Sequence, residues 1–346
     1  MLRAAVVLRA ICAAVVLTIG SAGWHAVAND DFHPSHPGNG TVHKLALPGP
    51  YRGAGLGPGG PLADLGQKLF FDGSLSASGR TACASCHSPD FAYADPRRVS
   101  ISDDGQRGRR NSPSLLNVGF VPKLMWDGKF GSLEQQAFGP FQSGEMGWGI
   151  DQATGRISAD PQYAQLFQSA FGGFPTPDGI AHALATYQRT LHTDLSRVDR
   201  FMAGRGRSIL TSIERDGYAI FDGRAGCTRC HQPYPLGPGN SPPLFSDFRY
   251  HNLGVGYRSG GVPDAGRFEL TRAKPELGAY RTPSLRSSVK APPYMHDGSI
   301  ATLEEVVEFY SAGGQPNPYI SPLIRPLNLD GYEKAALVAF LRALGE

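Results

Sequence analysis

Cys83-Ala84-Ser85-Cys86-His87 and Cys227-Thr228-Arg229-Cys230-His231 are two copies of one pattern, C-x-x-C-H. The spacing suits the attachment chemistry of c-type haem. Two thiols bond to the porphyrin vinyl groups, and the adjacent imidazole then lies close enough to coordinate the iron. Zinc and disulfide sites also use C-x-x-C. Zinc, however, wants four ligands from paired motifs, and neither site needs a His directly after each second Cys. The pattern predicts two covalently bound haem c groups, anchored by Cys83, Cys86, Cys227 and Cys230, with His87 and His231 as iron ligands.

Working outward, both motifs sit inside a longer repeat. Leu69-Phe70-Phe71-Asp72 precedes the first and Ala219-Ile220-Phe221-Asp222 the second. Downstream, Asn111-Ser112-Pro113-Ser114-Leu115 parallels Arg281-Thr282-Pro283-Ser284-Leu285, and Trp126-Asp127-Gly128 parallels His296-Asp297-Gly298. Pro113 to Trp126 and Pro283 to His296 both span 13 positions. Ser132-Leu133-Glu134-Gln135 and Thr302-Leu303-Glu304-Glu305 each read as a capping box opening a helix. Helical periodicity also covers 179–193, 209–221, 303–310 and 330–344, while period-two alternation is scarce. The expected fold class is mainly α: two tandem homologous c-type cytochrome domains with long loops and one haem each. Residues 29–200 form the N-terminal domain and 201–346 the C-terminal one. The connection lies at 194–208, where the glycines of 203–208 read as a hinge.

Residues 1–28 read as a secretory signal, with Arg3 and Arg9 at its start, an apolar run at 11–19 and the small-x-small site Ala26-Val27-Ala28. The run is too short to span a bilayer, so no membrane span is expected after cleavage; an uncleaved anchor is the alternative. Cys12 falls inside this segment, and the other four cysteines are all used by the two motifs. Losing Arg3 and Arg9 takes the net charge from +3 to +1, a balance that argues against nucleic acid or an anionic membrane as partner. The 44 glycines and 28 prolines point to long ordered loops around the cofactors.

Together these residues resemble the di-haem bacterial cytochrome c peroxidase and MauG superfamily over nearly the whole stretch from Pro61 to Leu344. The resemblance is carried by the paired C-x-x-C-H, Arg110-Asn111-Ser112-Pro113, Trp126-Asp127-Gly128, Gly139-Pro140, Glu145-Met146 and Pro293-Tyr294-Met295-His296-Asp297-Gly298. It implies a periplasmic enzyme that reduces hydrogen peroxide at one haem with electrons relayed through the other.

The repeat itself says which haem is open. Tyr310 lies 12 positions past Gly298, and the residue 12 past Gly128 is Pro140. Proline offers iron no side-chain donor, whereas a tyrosine phenolate does. The N-terminal haem is therefore expected to be open and the C-terminal one closed by Tyr310. A plainer reading makes Tyr310 a packed aromatic on the helix face shared with Val306 and Val307. In the resembled family this position is methionine in ordinary peroxidases and a tyrosine ligand in MauG. Met295 is a competing ligand, although that position is packing in the family. Family peroxidases often block the first haem with a loop histidine. The stretch 100–109 here contains none, which implies readiness for peroxide without prior reduction.

The resemblance also assigns roles. Glu145 matches the glutamate that moves the peroxide proton, although the loop from Pro140 is one residue shorter than the family pattern and the match passes through a gap. Its plainer reading is a solvated loop carboxylate. Gln136 matches a distal glutamine that hydrogen-bonds the oxygen bound there, and Trp126 the tryptophan between the haems, with a buried structural Trp as the alternative. Asn111 with the carbonyls of Ala291 and Pro293 resembles an inter-haem calcium site. His296 resembles a residue supporting electron entry at the second haem. The leading reading is an exported di-haem c peroxidase fed by a small cytochrome c or copper protein. A MauG-like enzyme that oxidises a residue of a partner protein is the second. A di-haem electron carrier without peroxide chemistry would need a sixth ligand at both irons, and Pro140 and Glu145 argue against it.

Overall fold

The computed structural model describes residues 60–233, 242–258, 261 and 263–345. The signal segment 1–28 and Cys12 lie outside the described residues. The described chain is mainly helical. In order it forms α1 (Pro61–Phe71), α2 (Leu133–Ala137), α3 (Gly139–Gln142), α4 (Ile150–Ser158), α5 (Pro161–Phe171), α6 (Pro177–Arg189), α7 (Arg197–Met202), α8 (Ser212–Asp222), α9 (Phe268–Thr271), α10 (Leu303–Ser311) and α11 (Gly331–Leu344). Two short strands, β1 (Tyr250–His251) and β2 (Tyr280–Arg281), pair antiparallel with Tyr250 opposite Arg281. No helix of the described residues is long and apolar enough to cross a membrane.

Two helix pairs make the cores, and each is closed by the same device. Helix α1 packs on α6, and a Cβ on Gly66 would collide with the backbone carbonyl of Ala183 and with Tyr187. Helix α8 packs on α11, where a Cβ on Gly217 would collide with the carbonyl of Ala336 and with Phe340. The missing side chain lets the backbones touch, which buries the flanking residues completely. Around the first contact lie Leu65, Leu69, Phe70, Phe167, Ile180 and Leu184. Around the second lie Val198, Leu210, Phe221, Phe245, Phe340 and Leu341. Each such side chain contributes about 1.5–3 kcal/mol by leaving water. Their summed burial, rather than the intrinsic preference of short helices, holds the pairs together.

The helix starts follow from local chemistry. Thr211 and Glu214 form a reciprocal cap on α8, with the Glu214 carboxylate accepting from the Thr211 N–H at 2.7 Å. Asp330 and Glu333 do the same for α11. Thr302 and Glu305 do so for α10 as the sequence predicts. The companion box at Ser132 is only half made. Ser132 Oγ accepts from Gln135 N–H, but Gln135 Oε1 reaches past Ser132 to the N–H of Gly131 at 3.1 Å. The expected helix at 209–221 begins later, at Ser212, after a 3₁₀ turn at Arg207–Ile209. The stretch read as a connection carries α7.

The loops repeat as closely as the helices. The bridge Leu124–Phe130 recurs as Tyr294–Ile300, 170 positions later. Met125 and Met295 share a left-handed backbone (φ 67° and 70°), as do Asn117 and Ser287 (62° and 60°). These loops, more than the helices, carry the residues that matter below.

Candidate active site

Each C-x-x-C-H motif folds as a single tight turn. His87 N–H donates to the Cys83 carbonyl at 3.0 Å and His231 N–H to the Cys227 carbonyl at 2.8 Å. Each imidazole is then pinned from behind. His87 Nδ1 donates to the Tyr93 carbonyl at 2.9 Å, and His231 Nδ1 to the Phe245 carbonyl at 2.8 Å. A carbonyl can only accept, so the proton sits on Nδ1 and each Nε2 keeps its lone pair for a metal. Burial lowers both imidazole pKa values and keeps the rings neutral, as ligation requires.

The turns open into two cavities. The smaller, about 80 Å³, is lined by Cys83, Cys86 and His87 together with Gln136, Pro140 and Glu145. The larger, about 270 Å³, is lined by Cys227, Cys230 and His231 together with Tyr310, Met295 and His296, and also by Trp126, Asn111, Ala291 and Pro293. The fold thus gathers the predicted residues into two sets, each around one motif. Residues 111–115 serve both. Ser112 and Leu115 line the smaller cavity, and Asn111, Pro113 and Ser114 the larger.

The two cavities differ where the repeat does. Leu303, Val306, Val307 and Tyr310 present one stripe of α10 to the larger cavity. Burial raises the pKa of the Tyr310 phenol, and the thiols of Cys230 and Cys227 add to the effect. In the smaller cavity Pro140 on α3 stands at the equivalent place, beside Gln136 at the end of α2. Glu145 lies exposed at the outer edge of that cavity. Protein packed around its carboxyl nevertheless raises its pKa above the ordinary carboxylate value, against the pull of the Ser143 hydroxyl. The segment 100–109 closes this side as a small hairpin. Ile101 bridges Arg107, Asp103 N–H donates to the Glu145 carbonyl at 2.8 Å, and the Asp103 carboxylate accepts from Ser78 N–H and Oγ.

Between the cavities the backbone is tightly tied. Trp126 Nε1 donates to the Asn111 carbonyl, Asn111 N–H to the His296 carbonyl and Arg281 N–H to the Trp126 carbonyl, each at 2.8 Å. The Asn111 amide nitrogen is spent on the carbonyls of Asp95 and Arg97, leaving Oδ1 as its acceptor. His296 lies flat on Tyr280, with centroids 3.5 Å apart. Burial together with the nearby Arg110 lowers its pKa to about 4, so the ring is neutral.

Two observations fit haem at both turns, and a third fits it at the second. The first is the pair of pinned imidazoles. The second is the state of the thiols: burial pushes Cys83 and Cys227 up to about 12, so both stand as neutral groups beside the imidazole of their own motif. None of the four motif cysteines is in a disulfide. The third is Arg281, which lines the larger cavity almost wholly buried. Among the described residues its guanidinium donates only to the Met125 and Thr282 carbonyls, and no carboxylate pairs with it. Burial pulls its pKa down to about 10. A buried guanidinium without an anion is costly, and the propionates of a haem are the anions such a cavity would receive.

Sequence reasoning missed Arg281, although the repeat held a signal, since its counterpart is Asn111. Nor did it single out His251. That ring lines the larger cavity with Nε2 3.2 Å from Asp247 and 3.6 Å from Cys230 Sγ. Cys230, Asp247 and His251 converge closely enough to hold a cation. A thioether at Cys230 would take its sulfur out of that set.

Comparison with known proteins agrees with this geometry. The family model described as di-haem cytochrome c peroxidase matches residues 61–207. Cytochrome-c peroxidase IdrP1 of Denitromonas iodatirespirans is 36% identical over 312 residues, covering 81% of this chain and 80% of that protein. Methylamine utilization protein MauG of Methylorubrum extorquens is 36% identical over 284 residues, covering 81% and 77%. Among solved structures, a MauG-like protein associated with microbial copper homeostasis superposes with a TM-score of 0.74 at 29% identity, covering 92% and 95% of the two chains. The diheme peroxidase BthA of Burkholderia thailandensis gives 0.71 at 25% identity, covering 84% and 87%. The chain belongs to the di-haem cytochrome c peroxidase family. It is a haem-dependent oxidoreductase that acts on peroxide.

Proposed function

We propose that the chain is an exported, periplasmic di-haem c peroxidase of two tandem domains, 29–200 and 201–346, with residues 1–28 as its cleaved signal. Hydrogen peroxide is reduced at the haem held by Cys83, Cys86 and His87. Cys227, Cys230 and His231 would hold the second haem, with Tyr310 as a further ligand to its iron, and that haem would pass electrons to the first. The observation that carries this is the inequality of the cavities: Tyr310 faces one motif, and Pro140 stands at the equivalent place facing the other. Haem supplies the coordination site for peroxide and the electrons that split it. The chain supplies the rest. The Tyr93 carbonyl orients His87, Glu145 takes a proton from peroxide and returns it to the departing oxygen, and the Gln136 amide donates to the substrate. The raised pKa of Glu145 suits a group that must both accept and release a proton. Trp126 carries electrons between the two haems. Calcium bound by Asn111 Oδ1 and the carbonyls of Ala291 and Pro293 fixes the segment between them.

The electron donor in this reading is a small cytochrome c or copper protein. A second reading has specific support from Tyr310: a MauG-like enzyme that uses peroxide to oxidise a residue of a partner protein. Stopped-flow spectroscopy of the diferric protein with stoichiometric peroxide tests the assignment. A spectral change without prior reduction is expected, because 100–109 offers no histidine to block the first haem. A fully low-spin protein indifferent to peroxide would instead be an electron carrier. Tyr310→Phe and Tyr310→Met should each alter the resting spectrum of the second haem only, and an unchanged spectrum would refute the ligand assignment.

A further inference from the structure

Two tyrosines lie behind the smaller cavity in an arrangement that the peroxidase reading leaves unused. Tyr93 is one hydrogen bond from the axial imidazole, since its carbonyl accepts from His87 Nδ1. Its hydroxyl meets that of Tyr187 at 3.1 Å, across 94 residues of sequence. Phe70, which lines the cavity and is 1% exposed, stands against both rings, 6.0 Å from Tyr93 and 5.2 Å from Tyr187 between centroids. From there the array continues to Phe71, 6.3 Å from Tyr187 and 43% exposed. Phe71 and Gln67 border an open surface hollow with Asp64, Lys68 and Asp72. The aromatic rings therefore run without a break from the cavity to solvent.

We propose that the Tyr93–Tyr187 pair is a redox outlet of the His87 haem, a place where one oxidising equivalent from peroxide settles when no electron arrives by way of Trp126. The proposal rests on the peroxidase reading of that cavity. Phenylalanine holds no readily removed electron, so within the array only the tyrosines can be oxidised. A phenol that loses an electron must also lose its proton, and the hydroxyl pair provides for this. Tyr93 gives one electron to the haem that peroxide has oxidised. Its O–H bond breaks and the proton moves to the Tyr187 oxygen, while the proton of Tyr187 leaves for water beside Gln67. One electron and one proton depart in all, leaving a neutral tyrosyl radical on Tyr93. Two part-buried hydroxyls that merely satisfy each other would show none of this.

The test uses the diferric holoprotein mixed with equimolar hydrogen peroxide in the absence of donor and frozen for electron paramagnetic resonance. The expected result is a tyrosyl signal that narrows when the protein carries ring-deuterated tyrosine. Tyr93→Phe and Tyr187→Phe should each lose it while keeping the wild-type resting spectrum, since both substitutions retain the packed ring. A second readout is peptide mass spectrometry after excess peroxide, with oxidation at Tyr93 and Tyr187 in the wild type. The inference is overturned if the wild type consumes peroxide without a tyrosyl signal, or if the signal survives in both variants. A protein that leaves the peroxide unconsumed removes the peroxidase reading, and this outlet with it.

Discussion

Arg110 holds Asp264, 154 positions further along the chain, through two parallel hydrogen bonds, Nε to Oδ2 at 2.7 Å and Nη2 to Oδ1 at 2.9 Å. Its remaining nitrogen, Nη1, reaches Asp127 Oδ2 at 2.7 Å, and its guanidinium stands 5.6 Å from the centre of the Tyr280 ring. The guanidinium thereby braces the Tyr280–His296 stack at the wall of the larger cavity. Arg110→Gln strands two buried carboxylates and should cost about 3–5 kcal/mol. The Arg110 charge holds the Asp264 carboxyl well below its ordinary value of 3.8. Its contribution is therefore complete above that value and lost as pH falls through the lower, folded one. Urea unfolding at a series of pH values should show wild-type stability dropping below about pH 4, with the drop blunted in Arg110→Gln.

Arg281→Met separates a structural role from a cofactor role. Without haem the substitution removes an uncompensated buried charge and should be neutral or stabilising by about 1–4 kcal/mol. With haem bound it removes the cation that would face the propionates, and the melting temperature should fall. Thermal unfolding of the two forms side by side checks the change of sign.

Glu145→Gln keeps the size of the side chain and removes the base. The rate of reaction with peroxide should fall by about 10²–10⁴ while the resting spectrum stays unchanged. In the wild type the carboxylate must be ionised to take the proton. The rate should therefore decline as pH drops through a pKa raised above 4.5, and that limb should vanish in the variant.

Gly66→Ala and Gly217→Ala each place a methyl group against a backbone carbonyl that cannot retreat without separating a helix pair. Each should cost about 1–3 kcal/mol or more, far above the small gain alanine brings to a helix. Calorimetry should register both losses, and Gly155→Ala, with open space around it on α4, should register none.

Much of this was legible because the chain states itself twice. The positions of Tyr310 and Pro140 can be compared from the repeat alone, and each residue lines the cavity of its own motif. The helices at 303–311 and 331–344 were readable from periodicity and from their caps, since both signals are local. Gly66 and Gly217 were not, because a close helix crossing leaves no mark within one helix. Arg281 and His251 escaped for a similar reason: both matter because they line the larger cavity, whose walls come from segments far apart in sequence. The broken box at Ser132 shows the limit of motif reading. Gln135 has two backbone N–H groups within reach, and only the folded loop decides between them.

Among the described residues, the segment 111–115 is the one stretch of backbone that lines both cavities. The two cavities therefore share a wall, and a substitution in that segment alters the lining of both. A spectroscopic label at Ser112 would register what enters from the far side of its own wall.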